Sequence, residues 1–176
     1  MGFRTPKKLG SESELYGAAL RALMRRAHSV HEMRELLERR AERVEDVRPV
    51  LDRLKQNRYL DDARFAADYA RIHARARRQG RYRIARELRT RGVPDRHIEA
   101  ALEAAFAETN EPELVRARLK RKLAQFRGPI DERKAASLYR SLLRAGFSSD
   151  AIRSELRLAR IEAKALAALP DMVEED

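Results

Sequence analysis

The sequence predicts an all-α protein, an elongated, curved array of three tandem three-helix repeats. Two observations carry that expectation. Apolar residues recur at helical spacing between well-marked cap and turn residues. The pattern then repeats: a shift of 51 residues superposes Met33, Leu37, Ala41, Val47 and Leu51 on Ile84, Leu88, Gly92, Ile98 and Leu102. A further shift of 54 lands on Leu138, Leu142, Gly146, Ile152 and Leu156. Units this small cannot bury their apolar faces alone, so neighbours must stack.

In chain order, residues 1–12 read as a disordered basic tail and 13–60 as the first repeat. Leu15, Ala19, Leu20 and Leu23 share one face of its first helix. Ser29 and Glu32 then have capping-box spacing ahead of Met33, Leu36 and Leu37. A third helix carries Val47, Val50, Leu51 and Leu54; Pro49 fits if that helix begins near Asp46 or is kinked. The second repeat, 61–109, opens with Asp61 as N-cap and Asp62 in the first turn, where negative charge suits the helix dipole. Leu60 and Phe65 have the spacing of a hydrophobic staple. Phe65, Ala66, Tyr69, Ile72 and Ala76 are expected to form its apolar stripe. Gly80 breaks the pattern, and the next helix turns Ile84, Ala85 and Leu88 inward before a Schellman ending at Gly92-Val93. Pro94 opens a helix with Ile98, Ala101, Leu102, Ala105 and Phe106. In the third repeat, 110–159, Asn110-Glu111-Pro112 reads as a loop ahead of a helix with Val115, Leu119, Leu123 and Phe126. Asp131 and Ser148 cap the last two helices, separated by Gly146-Phe147. Residues 160–176 read as a polar, acidic C-terminal tail.

The formal net charge is +11, and it is unevenly placed. Residues 58–127 carry 18 basic and 10 acidic side chains, whereas 12–57 carry 10 and 9, and 128–176 carry 8 and 9. Nine Lys/Arg fall between Arg71 and Gly92 against one carboxylate, Glu87. A basic midsection between balanced flanks faces nucleic acid or an acidic protein surface, unless it is only an Arg-rich solvated helix surface. With no cysteine, disulfides and Cys-ligated zinc are excluded. No apolar run has the roughly 18 residues of a membrane span, and the N-terminus lacks a secretory pattern, so a cytoplasmic protein is expected.

Three motifs resemble the RecX family of regulators of the RecA recombinase: S29-x-x-E-M33-x-x-x-L37, Y59-L-D-D-x-R-F-A66 and G80-x-x-R-I84-x-x-E-L-x-x-R-G-V93. A weaker third copy, L138-x-x-x-L142-x-x-x-G146-F147, agrees with them. The resemblance implies tandem three-helix repeats. It also implies binding along the groove of the RecA filament on single-stranded DNA, restraining filament growth, ATP hydrolysis, strand exchange and co-protease activity. Two features depart from the pattern: Arg81 follows Gly80 where family members often have proline, and Pro49 sits within a helical stretch.

No catalytic, metal or cofactor site is expected. His28, His31, His73 and His97 form no helical metal pair with a third ligand, and neither HExxH nor a phosphate-binding glycine loop occurs. Asp61-Asp62 is explained by capping. The candidate partner and DNA contacts are Arg71, Arg75, Arg78, Arg81, Arg83, Arg86 and Arg89, with Arg118, Lys120, Arg121 and Lys122. Arginine's planar fork suits carboxylate and phosphate alike, so residue type does not choose the partner. Tyr82, between Arg81 and Arg83, reads as a base-stacking candidate or a packed turn tyrosine. The expected protein is a monomeric, non-enzymatic regulator on the RecA filament, touching single-stranded DNA without sequence preference. A helix-turn-helix-like binder of duplex DNA is the alternative.

Overall fold

In the computed structural model, residues 8–107, 110–126 and 128–159 are described; the expected tails lie outside them, apart from residues 8–12. Nine α-helices follow one another among these residues: α1 (Glu12–Leu23), α2 (Val30–Glu38), α3 (Val47–Gln56), α4 (Asp62–Arg75), α5 (Arg81–Thr90), α6 (Asp95–Ala107), α7 (Glu111–Leu123), α8 (Glu132–Arg144) and α9 (Ser149–Leu158). The chain divides into two compact units, and the division does not follow the sequence repeats. Unit 1 is Met1–Asp68 with Leu88–Ile98; unit 2 is Tyr69–Glu87 with Glu99–Asp176.

Unit 1 is built on the apolar faces of α1–α3. Leu15, Ala19, Met33, Leu37, Val50, Leu51 and Leu54 form its core with Leu60. The caps explain why the helices start where they do. Ser11 accepts the Glu14 N–H at the head of α1. Ser29 and Glu32 close a reciprocal capping box on α2, at 3.1 and 3.2 Å. A 3-10 turn over Val44–Asp46 leads into α3. Pro49 is therefore its third residue, in the first turn, where a missing N–H leaves no helical bond unmade. Asp61 caps α4 by accepting the Arg64 N–H at 3.0 Å. Asp62 does more than add charge to that first turn: its carboxylate accepts the Val30 N–H at 2.9 Å, so it also serves the head of α2.

Where the later copies have glycine, the first has Ala41, and the chain solves the turn differently. Leu9 forms an isolated parallel bridge with Ala41, donating to the Arg40 carbonyl and accepting from the Glu42 N–H. Residues 8–10 are thus held, in contrast to the tail expected there. Arg58 closes α3 in the left-handed region, φ +56°, with Tyr59 N–H reaching back to the Leu54 carbonyl at 2.9 Å. A side chain in that region costs about 1–2 kcal/mol. Arg58→Gly should therefore raise stability by about 0.5–1 kcal/mol, the loss of chain entropy offsetting part of the gain. Urea unfolding of the two proteins measures it.

Unit 2 has its own core, from Val115, Leu119, Leu138, Tyr139, Leu142, Phe147, Ile152 and Leu156. α7 begins at Glu111, so the loop expected over 110–112 is shorter: Pro112 is the helix's second residue, where a missing N–H leaves no helical bond unmade. Asp131 and Ser148 cap α8 and α9 as expected, accepting from Lys134 N–H and Ala151 N–H.

One joint occurs in each unit. In unit 2, Gly80 N–H donates to the Ala145 carbonyl at 2.8 Å, and Tyr82 N–H to the Gly146 carbonyl at 3.1 Å. The backbones touch: a Cβ on Gly80 would lie 2.0 Å from the Gly146 oxygen, and one on Gly146 2.3 Å from Arg83 Cβ. Gly146 is at φ +85° and ends α8 in a Schellman turn, with Phe147 N–H on the Leu142 carbonyl. In unit 1 the corresponding positions are Ser29 and Gly92. The Ser29 hydroxyl donates to the Arg91 carbonyl at 2.5 Å, and a Cβ on Gly92 would lie 2.3 Å from His31 Cγ. Gly92, at φ +69°, ends α5 in the same Schellman form. In both units the head of one helix sits on the glycine turn that closes another.

Candidate functional site

The basic side chains of unit 2 are positioned by a polar network beneath the turn from α4 to α5. The expected stripe on α4 holds at Phe65 and Ala66, with Tyr69 half-buried, but shifts further on: Ile72 is 51% exposed and Ala76 is exposed, whereas Ala70, His73 and Ala74 are buried. The cause is His73. Its Nδ1 meets the Gln79 side-chain oxygen at 2.6 Å, and an amide oxygen only accepts, so Nδ1 carries the proton. The Tyr69 ring stacks on the imidazole with centroids 3.8 Å apart. Tyr69 OH donates to Glu87 at 2.6 Å, and Arg83 Nε donates to its other oxygen at 2.8 Å. Burial pushes the Glu87 carboxyl up, but the hydrogen bonds from Tyr69 and Arg83 outweigh it and hold the group below its ordinary value. Glu87, the lone acid among nine bases, therefore ties two helices together.

Above this network the chain turns through Arg78, at φ +49°, into buried Gln79 and Gly80. Arg71, Arg75, Arg78, Arg81 and Arg86 are exposed, as are Lys120 and Arg121; Lys122 is half-buried. Arg118 joins the two groups. Its Nη1 donates to the Arg78 carbonyl at 3.5 Å, and its Nε is buried with no hydrogen-bond partner. Burial lowers its pKa, and the neighbouring charges of Arg121 and Arg83 lower it further. The Arg118 guanidinium is thus crowded by those of Arg121 on its own helix and of Arg83 on α5, with one N–H facing no acceptor. That arrangement is costly without an anion and favourable with one.

The expected residues do not all belong to this site. Arg89 lies in unit 1, paired with Asp95 at 2.8 Å, and Arg83 is half-buried on Glu87. Arg81 sits over the Phe106 ring at 5.8 Å, and the Tyr82 ring is 48% exposed. Sequence reasoning missed the Tyr69–His73–Gln79–Glu87 network, although the isolated acid was a usable signal. It also gives no sign that Arg116, one of the basic residues of the 114–127 run, is engaged: its Nε and Nη2 hold buried Glu155 at 2.8 and 2.9 Å. Among the described residues no group of His, Asp or Glu could hold a metal ion, and no helix is long and apolar enough to cross a membrane.

Regulatory protein RecX of Leptothrix cholodnii is 39% identical over 145 residues, covering 82% of this chain and 88% of that protein. The chain belongs to the RecX family. Regulatory protein RecX of Halorhodospira halophila is 40% identical over 147 residues with the same coverages. A family model described as RecX, second three-helix domain, matches residues 61–102, the segment from the Asp61 cap into α6 that carries the Gly80 turn. The fold agrees: the crystal structure of RecX from Lactobacillus salivarius superposes with a TM-score of 0.71 at 19% identity, covering 86% of this chain and 97% of that one. Its RecX relatives are named regulatory proteins, so the chain is placed among regulators.

Proposed function

We propose that this RecX-family chain restrains the RecA recombinase. It binds along the RecA filament on single-stranded DNA and slows its ATP hydrolysis, strand exchange and co-protease activity. It does so as a cytoplasmic monomer that needs no cofactor. The observation that carries the reading is the cation cluster of unit 2, where Arg118 lies among the charges of Arg121 and Arg83 and holds the Arg78 carbonyl, on a turn braced from beneath. A repeated target multiplies weak contacts, because each later contact is effectively intramolecular. A cluster of exposed guanidiniums fits phosphates at sequence-blind, salt-sensitive affinity.

The test is charge reversal that leaves the fold intact. Arg83 is a poor choice, since a carboxylate there would face Glu87. Arg75→Glu, Arg78→Glu and Arg121→Glu together should reduce inhibition of RecA ATP hydrolysis on single-stranded DNA by about tenfold or more, with helicity unchanged by circular dichroism. Wild-type inhibition by that variant would remove the cluster from the mechanism. Selective binding to one duplex sequence would instead favour a base-reading protein.

A further inference from the structure

Unit 2 has a groove between α7 and α9, of about 220 Å³, whose walls are mostly apolar: Leu119, Leu123 and Leu158. Leu158 is 65% exposed at its edge and extends the apolar wall made by Leu119 and Leu123. One end is closed by the Arg116–Glu155 pair, with the Glu155 side chain 3% exposed; Lys120 stands on the rim, followed by Arg121 and Lys122. Ala159 is part of the lining, so the chain continues from the edge of the groove itself. The residues that follow have the composition to fill it. Ile161, Leu166 and Leu169 are apolar, and Asp171, Glu174, Glu175 and Asp176 place four carboxylates within six residues.

We propose that residues 160–176 return onto this groove, with their apolar side chains against Leu119, Leu123 and Leu158 and their carboxylates beside Lys120 and Arg121. Reach is no obstacle: the 12 residues from Ala159 to Asp171 span about 18 Å even if helical, and more if extended. Charge favours this occupant over a second copy, which would bring its own net charge of +11. A tethered acidic segment acts at an effective concentration in the millimolar range. It therefore competes with phosphates for the cations of α7, and the chain carries its own brake on nucleic-acid binding. The competition rests on the reading under Proposed function; the docking does not.

Two measurements on the full chain separate them. The chain has no cysteine, so Glu175→Cys carries a single nitroxide label. It should broaden the backbone amides of Leu119–Leu123; sharp amides there would overturn the docking. Second, Asp171→Asn, Glu174→Gln, Glu175→Gln and Asp176→Asn together should tighten binding to an oligothymidylate about tenfold at low salt, with the gain fading towards 1 M salt. Equal affinity at low salt would overturn the competition. Failure of both forms to bind the oligonucleotide would overturn the competition and its functional premise together, while the broadening still decides the docking.

Discussion

Gly80→Ala should destabilise unit 2 by about 3 kcal/mol or more, among the largest effects of any single methyl group in this chain. The added Cβ would lie 2.0 Å from the Gly146 oxygen and 2.2 Å from its carbonyl carbon, and both partners are backbone. Relief requires parting α5 from the end of α8, which breaks the Gly80–Ala145 and Tyr82–Gly146 hydrogen bonds. Gly146→Ala should be at least as severe, because it combines a clash on Arg83 with a left-handed backbone at φ +85°. Gly128→Ala provides the control. That glycine is also left-handed, φ +78°, but has nothing within 4 Å of its Cβ position, so only about 1 kcal/mol is expected. Urea unfolding of the three variants checks the order; equal effects of Gly80→Ala and Gly128→Ala would mean that the joint yields.

Glu32→Ala should cost unit 1 about 2 kcal/mol, from the lost capping box and the loss of charge-assisted bonds to partly exposed arginines. The carboxylate accepts from the Ser29 N–H, from Arg26 at 2.9 Å and from Arg91 at 2.5 Å, joining α2 to the turn that ends α5. Burial alone would raise its pKa; the bonds from Arg26 and Ser29, with the charge of Arg91, bring it below the ordinary value. Nearby His28 is also lowered, by burial, despite its hydrogen bond to the Arg26 carbonyl. Both folded-state values lie under the unfolded ones, 6.5 for the histidine and 4.5 for the glutamate, so the folded state binds fewer protons. Stability of unit 1 is then greatest above pH 6.5 and falls in two steps, as His28 and later Glu32 take up protons. Hydrogen exchange of unit 1 amides across that range should show both steps in the wild-type chain. The variant should keep the upper step and lose the one below 4.5.

What the sequence made legible is local chemistry. Ser29 with Glu32, Asp61, Asp131 and Ser148 cap the helices they were read to cap, and Gly92 and Gly146 end theirs in the left-handed turn their spacing implies. These motifs depend on residues three to five apart, so a linear reading captures them. The family was legible because its motifs are such local signals. Gly80 shows the limit. In the sequence it marks only a break between helices, whereas its necessity comes from a backbone sixty-six residues further on. The α4 stripe failed past Tyr69 for a related reason. Periodicity ranks Ile72 as buried and His73 as polar, but a histidine whose ring is stacked and hydrogen-bonded can be interior, and in the last turns of α4 it takes the inward position in place of Ile72. The candidate site divided along the same line. A basic tract is visible in any composition count, but Arg118 meeting Arg78, and Arg83 and Arg89 being engaged by acids, depend on which helices become neighbours.

The interleaved boundary between the two units has a consequence for biosynthesis. Unit 1 needs Leu88–Ile98 for the Ser29–Arg91 and Glu32–Arg91 contacts, so its first sixty-eight residues leave the ribosome without the turn that completes them. Tyr69–Glu87, emerging in between, must wait for α8 before Gly80 meets its partner. Maturation is therefore nested, not one motif at a time. A nascent chain halted at a sequence-repeat border would hold an open seam, available to chaperones until the remaining residues emerge.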